Sequence, residues 1–279
     1  TSYYGATLAA PVNTLKCSHS YLAEYLNRSD APSKGAKLLG AMLEGTFINS
    51  EMAGAQNPEM VFEPSKEVFD SIEDQGTIKM ANVVPDFGDK SCELIEYLNG
   101  KGIVVGSGHT GGTCDQYAAA KKAGLKYCIH FTNGPTGSSY KPFNGGGATE
   151  AVLKFDDLYA ELICDGYHVN PAYIRDIIKR KGVDKILAVT DCTLIAGSDI
   201  KEFNLGGVKG ATSENGEYLQ VVGKKNTLFG SVLTMNLGFK NMLNWLTADM
   251  SGIWNSIHEQ ISLQDALVAS TKMFSTNQS

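Results

Sequence analysis

Short apolar runs alternate with longer amphipathic stretches along most of the chain. The strand-like runs are Lys37–Leu43 (KLLGAML), Ile78–Val84 (IKMANVV), Gly102–Gly106 (GIVVG), Lys126–His130 (KYCIH), Leu158–Cys164 (LYAELIC) and Lys185–Thr190 (KILAVT), with a weaker candidate at Thr1–Leu8 (TSYYGATL). Helical spacing shows between them at Lys90–Asn99, Thr113–Ala123 and Pro171–Lys181. Near-continuous apolar strands separated by helices mark parallel βα units. Seven such strands exceed a typical open sheet and fall one short of a (β/α)8 barrel. The predicted fold is therefore α/β, a TIM-type (β/α)8 barrel lacking its first strand, with residues 1–279 as a single domain. The rhythm breaks at residues 199–230, where Asn215-Gly216 between alternating residues predicts a β-hairpin-like insertion serving as an active-site loop. Helical spacing returns at Leu237–Leu246 and Leu263–Met273.

Composition narrows the class. With 43% hydrophobic and 19% charged residues, the 279-residue chain is an ordinary globular protein. A net charge of −6 excludes a general nucleic-acid binder, which needs excess Lys and Arg to neutralise phosphates, but leaves room for a small anionic ligand. Six dispersed cysteines without a CxxC pair predict reduced thiols and a cytoplasmic location. No apolar run approaches a membrane span and no signal-peptide pattern opens the chain, so no membrane partner is expected. The chain opens on Thr1 rather than Met and reads as part of a longer protein.

Nearly every predicted strand ends in a residue capable of chemistry: Glu44, His109, His130, Asp165 with His168, and Asp191. In barrels of this kind the carboxyl ends of the strands converge on one mouth, where active sites are built. Singly, each has an ordinary explanation. His109 in GSGHTGG could cap a helix, His130 could be a bonded core histidine, Glu44 could sit in a surface loop, and Asp191 could be an N-cap. Together, one carboxylate and two imidazoles suit Zn²⁺ or a similar divalent ion with a position left for water. Asp191 is then the candidate general base and His168 a candidate substrate contact.

The segments LEGTFIN (43–49), GAQNPE (54–59), GHTGGT (108–113), HFTNGP (130–135), LYAELICDGYHVNP (158–171), LAVTDC (187–192) and LFGSVLTM (228–235) resemble, in this order, the N-acetylglucosamine-6-phosphate deacetylase family of the amidohydrolase superfamily. The resemblance implies a metal-dependent hydrolase barrel that removes the acetyl group of an amino-sugar phosphate, yielding acetate and glucosamine 6-phosphate in amino-sugar metabolism. The family's metal ligands fall on Glu44, His109 and His130, its catalytic aspartate on Asp191, and its substrate positions on Ala55, Asn133, Gly134, His168, Leu228, Phe229 and Gly230. Lys141 stands where the family usually has a phosphate-binding arginine, often reaching in from a neighbouring subunit, which implies a homodimer. Zinc is the expected metal, with iron, manganese, cobalt and nickel as alternatives.

Departures accompany the match. Gln56 replaces a histidine that helps polarise the scissile carbonyl, Thr46 replaces a proline, and Gly134-Pro135 replaces Ala-Met. The first barrel strand, which often carries an HxH-type metal pair in the superfamily, has no counterpart, nor does the flanking small β-sandwich. Two further readings therefore stand beside the first: a deacetylase of another N-acyl amino sugar or amide, and a truncated relative that binds ligand without turnover.

Overall fold

The computed structural model describes residues 2–28, 35–73, 75–133, 145–250 and 260–278. The chain divides into two compact units, the first made of residues 1–126 and 135–148, the second of residues 127–134 and 149–279.

In the first unit the order is β1 (Ser2–Ala6), α1 (Val12–Leu26), β2 (Lys37–Phe47), α2 (Lys66–Ile72), β3 (Ile78–Val83), α3 (Asp89–Gly100), β4 (Val104–Ser107) and α4 (Cys114–Ala123). Strands β1 to β4 pair in chain order and all in parallel. β2 carries eight consecutive buried residues, Gly40 to Phe47, because a parallel strand is covered on both faces. It runs past the predicted end at Leu43, so Glu44 lies within the strand rather than after it. Leu43, Phe47, Phe69, Ile72, Leu94, Ile95 and Tyr117 are among the fully buried side chains. α4 starts on a capping box, in which Thr113 accepts from the Gln116 N–H and Gln116 accepts from the Thr113 N–H, and it ends on left-handed Gly124.

The second unit holds β5 (Tyr127–Cys128), α5 (Ala148–Lys154), β6 (Tyr159–Ile163), α6 (Pro171–Lys181) and β7 (Ile186–Val189). Here too β5, β6 and β7 pair in parallel, in chain order. β5 is shorter than the predicted Lys126–His130, and His130 lies beyond it in a turn. Three antiparallel strands follow, β8 (Glu202–Leu205), β9 (Val208–Thr212) and β10 (Leu219–Val221), then α7 (Met235–Thr247) and α8 (Leu263–Phe274). The 199–230 segment is thus a three-stranded sheet. Gly206 and Gly207, both at positive φ, form the first turn, and Asn215-Gly216 lies in the second.

Within each unit the strands of the main sheet pair in parallel and in chain order with helices between them, an α/β fold with which the predicted barrel is compatible. No helix among the described residues is long and apolar enough to cross a membrane.

Candidate active site

Within the first unit, Glu44 and His109 come together. Glu44 Oε1 lies 3.4 Å from His109 Nε2, and both side chains are almost fully buried. His109 Nδ1 is 3.0 Å from the carbonyl oxygen of Met52. A carbonyl can only accept, so Nδ1 carries the proton and Nε2 is the lone-pair nitrogen. Gln56 is also buried and fixed at both ends of its amide: Oε1 accepts from the Ala9 N–H at 2.8 Å, and Nε2 donates to Glu44 Oε1 at 3.4 Å. Between them Gly45 has no room for a side chain, since a Cβ there would stand 2.4 Å from the Ala9 nitrogen. Ala55 is half-buried beside Gln56.

His130 has the same arrangement by other means. Its Nδ1 is 3.0 Å from the carbonyl oxygen of Asn133, which again leaves Nε2 as the lone-pair nitrogen. Its main-chain N–H donates to Glu161 Oε2 at 3.1 Å, and the next N–H, of Phe131, donates to the Glu161 carbonyl at 2.8 Å. Glu44 and His109 of the first unit and His130 of the second are the described residues that could hold a metal ion. A carboxylate oxygen and two imidazole rings that each commit Nδ1 to a main-chain carbonyl are a donor set suited to a divalent metal, so this is a possible metal site.

Asp191 follows β7 and is partly buried, and its carbonyl accepts from the Ser231 N–H at 2.7 Å. Gly230 packs so closely that a Cβ would meet the Asp191 carbonyl oxygen at 2.9 Å. Phe229 donates its N–H to the Leu219 carbonyl and stacks edge-on against Phe203. Residues 228–230 are therefore strung between the three-stranded sheet and Asp191, which brings three predicted substrate positions beside the predicted catalytic group. His168 Nδ1 sits 2.6 Å from Asp165 Oδ2, while the N–H groups of Tyr167 and His168 both donate to Asp165 Oδ1. Burial alone would push the Asp165 carboxyl up, but the hydrogen bonds and charge of His168, with those two N–H groups, outweigh it and hold the acid below its ordinary value. The Asp165 carboxylate accepts from His168 Nδ1 and so fixes the orientation of the ring. The Asn133 amide nitrogen is buried and has no hydrogen-bond partner among the described residues. Gly134 and Lys141 lie outside those residues.

Among the described residues, five that are not glycine have positive φ, and four of these are His109, His130, Thr132 and Asp191. Such strain gathers where function over-determines the backbone. Sequence reading missed the residues that hold these turns, chiefly Asp86, Asn49 and Glu161. A buried acid inside an otherwise apolar strand was the available signal for Glu161; nothing in the sequence joins Asp86 to the 108–113 turn.

No family model matches the chain. Among curated proteins it is 28% identical to the N-acetylglucosamine-6-phosphate deacetylase of Bacillus subtilis, over 95% of this chain and 65% of that protein. It is 27% identical to the N-acetylgalactosamine-6-phosphate deacetylase of Escherichia coli O157:H7, over 87% of this chain and 62% of that protein. Among solved structures, the Thermotoga maritima N-acetylglucosamine-6-phosphate deacetylase matches with a TM-score of 0.80 and 25% identity, covering 100% of this chain and 68% of that one. A mutant form of the Mycobacterium smegmatis enzyme in complex with N-acetyl-D-glucosamine-6-phosphate matches with a TM-score of 0.82 and 24% identity, covering 98% and 65%, a likeness of fold. The chain spans 54 to 65% of the length of the first three curated relatives. In sequence and in fold alike, the chain is similar to N-acetylglucosamine-6-phosphate deacetylases.

Proposed function

We propose that the chain forms the metal-holding part of a hydrolase that removes the acetyl group of N-acetylglucosamine 6-phosphate, giving glucosamine 6-phosphate and acetate. The observation that carries this reading is the orientation of two imidazoles. Both Nδ1–H groups donate to main-chain carbonyls, which leaves the ligand nitrogens of His109 and His130 to accompany the Glu44 carboxylate. That donor set suits zinc first, and iron, manganese, cobalt or nickel after it. A divalent ion bound there would polarise the amide carbonyl and make a water more acidic.

The chain's own groups carry the protons. Asp191 accepts a proton from the attacking water as its oxygen adds to the acetamide carbon. It then returns that proton to the amine nitrogen as the C–N bond breaks, so the carboxylate is regenerated. Gln56 keeps one Nε2 hydrogen beyond its bond to Glu44, to donate to the carbonyl oxygen; unlike histidine it supplies no positive charge. The buried Asn133 amide and His168 Nε2 donate to or accept from sugar and phosphate oxygens, and Ala55, Gly134 and the main chain of Leu228, Phe229 and Gly230 shape the pocket. Lys141 supplies charge to the phosphate across a homodimer boundary in the cytoplasm. Residues 1–279 act as one barrel domain, with 199–230 as its active-site insertion.

Acetate release from N-acetylglucosamine 6-phosphate, measured on protein supplied with Zn²⁺, tests the reading. Loss of activity in Asp191→Asn is the expected result. A protein that binds no divalent ion when Zn²⁺ is supplied overturns it, and equal turnover of the unphosphorylated sugar removes the role given to Lys141. The galactosamine-type relative and the Gly134-Pro135 pair make N-acetylgalactosamine 6-phosphate the second substrate to compare.

A further inference from the structure

Asp86 sits in the single 3-10 turn that follows β3, and no motif or comparison gives it a role. Its carboxylate is gripped by Asn49 and by the turn that follows β4. Oδ1 accepts from the Gly111 N–H at 2.8 Å and from Asn49 Nδ2 at 2.7 Å; Oδ2 accepts from the Thr110 hydroxyl. That hydroxyl in turn accepts from the Gly112 N–H at 2.9 Å. The main-chain N–H of Asn49 donates to the carbonyl of His109 at 3.1 Å. All of these bonds close on the turn that carries His109, whose own φ is +58°. An L residue seldom holds that conformation unless its neighbours fix it. The fit is also steric: a Cβ on Gly112 would stand 2.7 Å from Pro85 Cγ and 3.3 Å from Asp86 Oδ2, so the turn lies directly on Asp86.

We infer that Asp86 is the positioning residue for His109: by pinning Thr110 and Gly111 and gripping Asn49, it holds the His109 backbone left-handed so that Nε2 faces Glu44. The inference rests on the metal reading above. Without Asp86, the turn relaxes toward ordinary backbone and the imidazole swings away from Glu44. A purely structural aspartate would lower stability alone. A positioning one lowers metal affinity in protein that is still folded.

The test is a zinc titration of the whole chain against a chromophoric chelator, run on the parent, Asp86→Ala, Thr110→Val and Thr110→Ser. Each is paired with a thermal melt of the metal-free protein and the visible absorption of the cobalt-loaded form. Asp86→Ala should weaken zinc binding about ten- to a hundred-fold, the range for groups that orient a metal ligand. Thr110→Val should act in the same direction, and Thr110→Ser, which keeps the hydroxyl, should restore parental affinity. Parental affinity in both Asp86→Ala and Thr110→Val overturns the inference while leaving the metal site standing. A parent that binds no zinc overturns the metal reading and this inference with it. If Asp86→Ala does not fold, the Thr110 pair decides alone.

Discussion

The turns that carry His109 and His130 reach the same end by different means. Both put a histidine at positive φ, and both commit Nδ1 to a main-chain carbonyl. The His109 turn is held from far away in the chain, by Met52, Asn49 and Asp86. The His130 turn is anchored by a carbonyl three residues on, with the Glu161 carboxylate behind its main-chain N–H. A ring aimed by a nearby carbonyl keeps its aim when neighbouring side chains change. A ring aimed through a distant carboxylate does not.

The largest expected effect sets Asp191 apart from both turns. Asp191→Asn should lower acetate release about 10²- to 10⁴-fold, the usual worth of a proton-transfer group, while zinc affinity stays at the parental value. A parallel fall in zinc affinity would make Asp191 part of the metal-holding set instead. Next comes the direct contrast between the turns. Asn133→Ala removes a side chain but keeps the carbonyl that aims His130, so zinc affinity should not change, unlike in Asp86→Ala. The KM for the sugar phosphate should rise about tenfold, the value of one buried hydrogen bond of about 1–1.5 kcal/mol. A loss of zinc binding in Asn133→Ala would erase the distinction between the two turns.

A smaller effect concerns Glu161. Removing its carboxylate in Glu161→Ala takes the acceptor from the His130 N–H, which should cost about 1–3 kcal/mol in denaturant unfolding of the metal-free protein. The smallest is a pH effect that belongs to the first unit alone. His19 on α1 is buried; its Nδ1 donates to the Thr77 hydroxyl, which donates to Glu73, and its Nε2 has no partner among the described residues. Burial, partly opposed by the charge of Glu73, keeps its pKa below 6.5. The unfolded chain then takes up this proton more readily than the folded one. Stability is full above about pH 6.5 and falls as pH drops from there through the folded-state pKa. His19→Gln should flatten that fall in the melting midpoint; an unchanged slope would assign it to other groups.

The contrast between near and distant support also explains what could be read from the sequence. α6 matches its predicted span Pro171–Lys181 because Asn170 caps it, Pro171 opens it and Gly182 follows it, all local signals. α1 was invisible because its buried stripe is Leu15, His19 and Ala23, too weak an apolar face to announce a helix. The predicted strand through His130 stops at Cys128, since positive φ cannot continue a strand. In the sequence a carboxylate interrupts the apolar run at Glu44, which places it after its strand. It lies inside β2 because Gln56 and His109 meet it there. The residue types of the site were legible. The Asp86 network was not, since it depends on which strand ends the fold sets side by side.

The left-handed backbone at His109, His130 and Asp191 also bears on how substitutions there would act. At each of these positions glycine would be the easier residue, by roughly 1–2 kcal/mol. Glycine there would relieve the backbone but also delete the Nδ1 hydrogen bonds that the two imidazoles make. Alanine, the residue of routine scanning, keeps the strain while deleting the chemistry, so an alanine scan would understate that relief. Two histidines and an aspartate are thus held at these turns against the preference of their own backbone.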